Sequence, residues 1–118
     1  MRDHVLEVCV DSVESAVAAA RGGATRLELC GNLIIGGTTP SPMLFDAVRA
    51  AVDLPIHVLI RPRFGDFLYT EAEYDIMRRE IGQFVQRGAT GVVIGALQAS
   101  GDLDREKMPI LWPPHAKS

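Results

Sequence analysis

An α/β fold with a parallel sheet is what this sequence predicts, on three observations. Four short runs, 5–10, 26–30, 55–60 and 91–95, are rich in Val, Ile and Leu and too short for helices. The segments between them repeat their apolar residues at helical spacing. A turn of the same type, Arg21-Gly22-Gly23-Ala24-Thr25 and then Arg87-Gly88-Ala89-Thr90, precedes the second and fourth runs. Each is a helix stopping on glycine before a tight turn into a strand. Strand and helix alternate, and that alternation implies parallel pairing with right-handed crossovers.

The elements follow in order. After strand one, Asp11 and Glu14 stand at capping-box spacing, and Val13, Ala16, Val17 and Ala20 fall on one helical face. Gly22 and Gly23 end that helix. The second helix opens at Ser41 with Pro42 in its first position, and Leu44, Ala47, Val48 and Ala51 repeat along it. The third opens on the capping pair Thr70 and Glu73 and presents Tyr74, Met77, Ile81, Phe84 and Val85 to the core. Gly82 within it costs about 1 kcal/mol relative to alanine. Residues 101–107 have the composition to begin a fourth helix, and Pro109, Pro113 and Pro114 forbid a regular one beyond.

Strands beginning near 5, 26, 56 and 91 lie 21, 30 and 35 residues apart. Eight units at that mean spacing need roughly 230 residues, the usual size of a (β/α)8 barrel. Four units are present, which leaves two architectures open: a small open sheet, or the N-terminal (β/α)4 half of such a barrel. The chain has 118 residues, 47% hydrophobic and 23% charged, with 12 Lys+Arg against 15 Asp+Glu. That balance describes one globular domain and excludes disorder. A net charge of −3 without a basic run argues against nucleic acid as a partner. No apolar stretch reaches the roughly 18 residues of a membrane span, and the N-terminus has no secretory apolar region. Two cysteines without an export signal point to the cytosol and to free thiols.

The most informative motif is a doubled Glu-x-Cys: Glu7/Cys9 in strand one and Glu28/Cys30 in strand two. Side chains alternate along a strand, so each pair shares a face, and Leu6, Val8, Val10, Leu27 and Leu29 form the opposite one. That apolar face packs on the helices, which turns both Glu-x-Cys faces to the barrel interior. In adjacent, in-register strands the two thiols meet at the carboxyl end of the sheet, where α/β proteins place their sites. Paired soft thiolates suit Cu(I), or zinc with further ligands. A buried cysteine also serves as a small apolar filler, and both readings stand.

Glutamates in strand interiors need partners. Arg61 and Arg63, after strand three, are suited to supply them as bidentate donors, and Asp66 follows in the same loop. One polar cluster of Glu7, Glu28, Arg61, Arg63 and Asp66 is therefore expected, either as a salt-bridge network filling the barrel or as a site for a small anion. Gly36-Gly37-Thr38-Thr39 and Gly65 supply free backbone N–H groups at the same end, without a complete phosphate-loop pattern. His4, His57 and His115 lack a triad context, and Cys9 has no evident base.

Together these residues resemble the CutC copper-homeostasis family, its animal branch most. The resemblance is carried by Glu7-Val8-Cys9-Val10-Asp11-Ser12-Val13-Glu14-Ser15-Ala16, by Gly22-Gly23-Ala24 and by Arg26-Leu27-Glu28-Leu29-Cys30. It continues in Gly36-Gly37-Thr38-Thr39-Pro40-Ser41, Ile60-Arg61-Pro62-Arg63 and Gly65-Asp66-Phe67. It implies the N-terminal half of a TIM-type (β/α)8 barrel over residues 1–108 and a divergent proline-rich tail over 109–118. It further implies Cu(I) as ligand of Cys9 and Cys30, a cytoplasmic and also nuclear location, self-association, and no securely assigned reaction. Phe64 stands where the family usually has glycine, and Ile35 where it usually has an acidic residue. The family's second half does not follow in this sequence, so a truncated or alternatively spliced form with reduced function, or an incomplete gene model, is expected. The alternative is an enzyme-derived barrel module that binds a small anionic metabolite at Arg61 and Arg63.

Overall fold

A computed structural model describes residues 5–94. The expected helix over 101–107, the tail over 109–118, the boundary at residue 108, His4 and His115 lie outside that range. The elements are β1 (Glu7–Val10), α1 (Val13–Arg21), β2 (Arg26–Leu29), a 3-10 turn (Leu33–Ile35), α2 (Pro42–Ala51), β3 (Ile56–Leu59), α3 (Glu71–Arg87) and β4 (Gly91–Val93). All four strands pair parallel in the order β1-β2-β3-β4. This is the α/β architecture the alternation of elements predicts.

Alternation along the strands builds the core. Val10, Leu27, Leu29, Ile56 and Val58 are buried on one side of the sheet, under Ala16 of α1, Phe45 and Val48 of α2, and Tyr74, Met77, Ile81 and Phe84 of α3. Phe45 and Phe84 meet edge to face with centroids 5.7 Å apart, joining α2 to α3. The stripe of α2 is shifted from the expected one. Phe45 and Val48 are buried, whereas Ala47 and Ala51 face solvent. Alanine gains little from burial, so the larger Phe45 takes the core side.

The cap of α1 is also displaced by one residue. Ser12, not Asp11, is the N-cap, and Ser12 and Ser15 make the reciprocal capping box. This frees the Asp11 carboxylate to accept from the Leu33 backbone N–H at 3.2 Å, tying the β1 end to the loop after β2.

The repeated turn has one physical role in both copies. Gly23 and Gly88 each adopt φ +102°, which a Cβ disfavours. Ala24 and Ala89 donate back to the helix, to Ala19 and Phe84 carbonyls. Thr25 and Thr90 then clamp the preceding strand: each backbone N–H donates to it, to Leu6 and Ile56 carbonyls, and each hydroxyl accepts from the same residue's N–H. The repeat is a strand-registering device.

Candidate functional site

The face of the sheet away from the helices carries Glu7 and Cys9 from β1, Arg26 and Glu28 from β2, and His57 from β3. Register sets their neighbours. Glu7 stands opposite Arg26, Cys9 opposite Glu28, and Glu28 opposite His57. Cys9 and Cys30 are therefore not side by side. Cys30 lies two residues beyond Glu28, diagonal to Cys9, with their Cα atoms about 7–8 Å apart by sheet geometry. That exceeds the usual disulfide span. Both cysteines are free thiols, Cys9 exposed and Cys30 buried.

Cys30 is anchored where β2 ends. Its N–H donates to the Val10 carbonyl at 3.0 Å, and its thiol donates to the same oxygen at 3.6 Å. Burial, followed by the proximity of Cys9 and Glu28, pushes its pKa up to about 11. Cys9 stands beside the Glu28 carboxylate, and its pKa is raised by partial desolvation and then by Glu28 and Glu7. Glu28 is itself raised, by burial and then by Glu7. Both cysteines are thus neutral thiols at pH 7, which is not the state of an activated nucleophile. His57 is lowered by burial and by Arg26, so its ring is neutral there.

The expected single polar cluster divides into separate groups. Glu7 pairs with Arg26 at 2.9 Å, a partner in the next strand that the spacing argument had overlooked. Arg61 follows β3 four residues beyond His57, about 13 Å further along the sheet from the Glu28 row. Its guanidinium donates to the carbonyls of Gly36, Gly37 and Gly65, at 3.4, 3.2 and 2.8 Å, and lies over the Phe67 ring at 4.9 Å. Arg63 pairs with Glu73 at 2.7 Å and with Asp66 at 3.4 Å, donates to the Asp66 and Leu68 carbonyls, and stacks on Tyr69. Glu73 is held below the usual carboxylate range by the hydrogen bond from Arg63 and by the Thr70 N–H. The physical reason for the division is reach: the arginines sit in the loop past the strand end, and nearer acceptors there satisfy them first.

These bonds shape the loops around the cysteines. Gly31 and Thr38 exchange backbone hydrogen bonds at 2.8 Å in each direction, closing the loop after β2. Gly37, at φ +88°, passes so close to Cys30 that an added Cβ would lie 3.5 Å from its Sγ and 3.0 Å from Leu59. The Gly-Gly motif is thus needed for conformation and for clearance. The N–H groups of Gly36, Gly37, Thr38 and Thr39, expected to be free, instead donate to the Leu33, Asn32, Gly31 and Arg61 carbonyls, because the loop folds back on itself and on β3. The Thr39 hydroxyl also links two elements: it accepts from the Arg61 N–H at 2.8 Å and donates to Glu80 of α3 at 3.4 Å. No sequence signal singles out Glu80, since it stands among charged residues on a helix.

Among the described residues no three His, Cys, Asp or Glu side chains converge on a metal-sized space. Tetrahedral zinc wants four ligands. Two soft sulfurs alone match Cu(I) better. Among the described residues no helix is long and apolar enough to cross a membrane.

Comparison with known proteins gives the family and agrees with the fold. The sequence profile of the CutC family matches residues 4–113. Copper homeostasis protein cutC homologues of Mus musculus and Homo sapiens are each 52% identical over 102 residues, 86% of this chain. Those residues make up 38% and 37% of the two relatives, so the chain spans under two-fifths of their length. The crystal structure of CutC from Streptococcus agalactiae superposes with a TM-score of 0.84 at 29% identity, covering 92% of this chain and 53% of that one. The likeness thus runs through the whole described sheet and its helices.

Proposed function

Since the chain belongs to the CutC family, we propose that it serves copper homeostasis in the cytosol by holding Cu(I) between Cys9 and Cys30. The observation that carries this reading is the diagonal pair of free thiols at the carboxyl ends of two adjacent strands. They are too far apart at Cα for an easy disulfide and near enough for their sulfurs to share one ion. The names of the mouse and human relatives support copper as the cargo.

The residues around the pair have defined tasks. Each thiol must lose its proton to become a ligand. Glu28, the cross-strand neighbour of Cys9, is the acceptor for the first proton. Cys30 is held by the Val10 carbonyl and by the close passage of Gly37, so its sulfur is positioned before any ion arrives. Arg26, paired with Glu7, keeps that carboxylate occupied.

Competition against a Cu(I) chelator tests the proposal. The purified chain is expected to take one Cu(I), and the Cys9→Ser, Cys30→Ser double variant to take none. Undiminished copper in the double variant overturns it.

A further inference from the structure

A cleft of about 410 Å³ opens between the loop after β2, the loop after β3 and helix α3. Neither cysteine lines it. Arg61 and Arg63 line it on one side, Asn32 and Thr38 on another, and the side chains of Ile35 and Phe64 form an apolar rim. Ile35 is 47% and Phe64 63% exposed, large apolar surface left to water.

The polar side is short of acceptors. Arg61 makes no ion pair among the described residues, and its guanidinium acceptors there are uncharged carbonyls. Its Nε is buried without a hydrogen-bond partner there. A buried guanidinium N–H left unpaired is costly, and such a group calls for a partner. The Thr38 hydroxyl accepts from the Asn32 side-chain amide at 3.0 Å, which leaves its own hydrogen to donate. Glu80 is the acidic group lining the cleft. Its carboxylate accepts from the Thr39 hydroxyl at 3.4 Å, and burial raises its pKa. Donors therefore outnumber acceptors around an unneutralised positive charge, beside two bare apolar side chains.

We propose that this cleft binds a small organic oxyanion, a carboxylate or a phosphate ester, with its charge against Arg61 and Thr38 and its apolar body on Phe64 and Ile35. The size suits such a molecule, since ligand clefts begin at about 300 Å³. Arginine is the side chain best matched to either oxyanion.

Titration of the purified 118-residue chain, followed by the ¹⁵N NMR signal of the Arg61 side-chain Nε–H, reads the contact at the unpaired atom. Phenyl phosphate and benzoate are the organic probes and inorganic phosphate the bare one. At least one organic probe is expected to shift the Arg61 Nε–H signal to saturation, and whichever binds identifies the class. Phenyl phosphate is expected to bind about fivefold tighter than inorganic phosphate if it is the accepted class, from partial burial of one ring. Phe64→Gly, at an exposed position, is expected to weaken the accepted organic probe by a similar factor and to leave inorganic phosphate unchanged. The Cys9→Ser, Cys30→Ser variant is expected to bind the probes as the parent does, which separates this site from the copper proposal. An Arg61 Nε–H signal unmoved by both organic probes overturns the proposal, and so does an accepted organic probe whose affinity survives Phe64→Gly.

Discussion

Gly37→Ala perturbs the fold and the thiol pair at one point. Gly37 sits at φ +88°, where an L side chain costs about 1–2 kcal/mol. Its new Cβ would also stand 3.0 Å from Leu59 Cδ2 and 3.4 Å from Cys30 Cβ. Leu59 can swing its terminal methyl aside, but the Cys30 Cβ belongs to a residue fixed by two bonds to Val10. Crowding therefore adds a share of the overpacking cost, about 1–2 kcal/mol, for a total of about 2–4 kcal/mol. Gly23→Ala is the matched control, since Gly23 has φ +102° and its Cβ would meet nothing within 4 Å. It is expected to show the backbone cost alone. Urea unfolding at equal slope measures both. Gly37→Ala is expected to be the more costly by at least about 1 kcal/mol and to weaken Cu(I) in chelator competition, with Gly23→Ala at the parent's affinity. Equal loss of stability in the two variants, or undisturbed copper in Gly37→Ala, would refute the reasoning that clearance at Gly37 sets the position of Cys30.

Two further predictions concern protons. Because burial and neighbouring carboxylates raise both thiols, Cu(I) uptake displaces their protons, and log K is expected to rise by about two for each pH unit between pH 6 and 8. Competition at stepped pH, with proton release followed in weak buffer, checks this, and a flat profile counts against dithiolate binding. Glu28 carries a raised pKa in the fold, so its contribution to stability is complete below its unfolded pKa and is lost as pH rises through the folded value. Glu28→Gln is therefore expected to stabilise at pH 7, by under about 1 kcal/mol after solvent screening, and to match the parent at low pH. A urea midpoint that falls at pH 7 contradicts that sign.

The fold was legible because its signals are local and repeated. Short Val- and Leu-rich runs between capped periodic segments leave few alternatives to a parallel sheet, and the Gly-Ala-Thr turn states twice how a helix hands over to a strand. Boundaries were less legible where two residues compete for one task. Asp11 and Ser12 both suit an N-cap, and only the loop after β2, which needs the Asp11 carboxylate for Leu33, decides between them. Likewise Ala47 and Phe45 both fit a stripe on α2, and the edge-to-face contact with Phe84 selects Phe45. Decisions of this kind are made by residues distant in sequence.

The site was legible in its residues and not in its register. Spacing within a strand places Glu and Cys on one face, but nothing in either strand alone says how far one is slid along the other. A stagger of two residues puts Glu28, rather than Cys30, beside Cys9. The thiol–thiol pair thereby becomes a diagonal, and the thiol–carboxylate pair becomes the direct contact. The same stagger places Arg26 beside Glu7, which satisfies one of the two carboxylates for which Arg61 and Arg63 were candidates. The arginines, past the end of β3, bind what lies nearest in their own loop. Arg63 finds Glu73 and Asp66. Arg61 finds only neutral carbonyls, and its charge stays available. Register thus decides that the cysteines face each other obliquely, and reach decides that an unneutralised guanidinium is left at the cleft. A two-residue slip of β1 against β2 would bring Cys9 beside Cys30 and leave Arg61 about 13 Å beyond the Glu28 row.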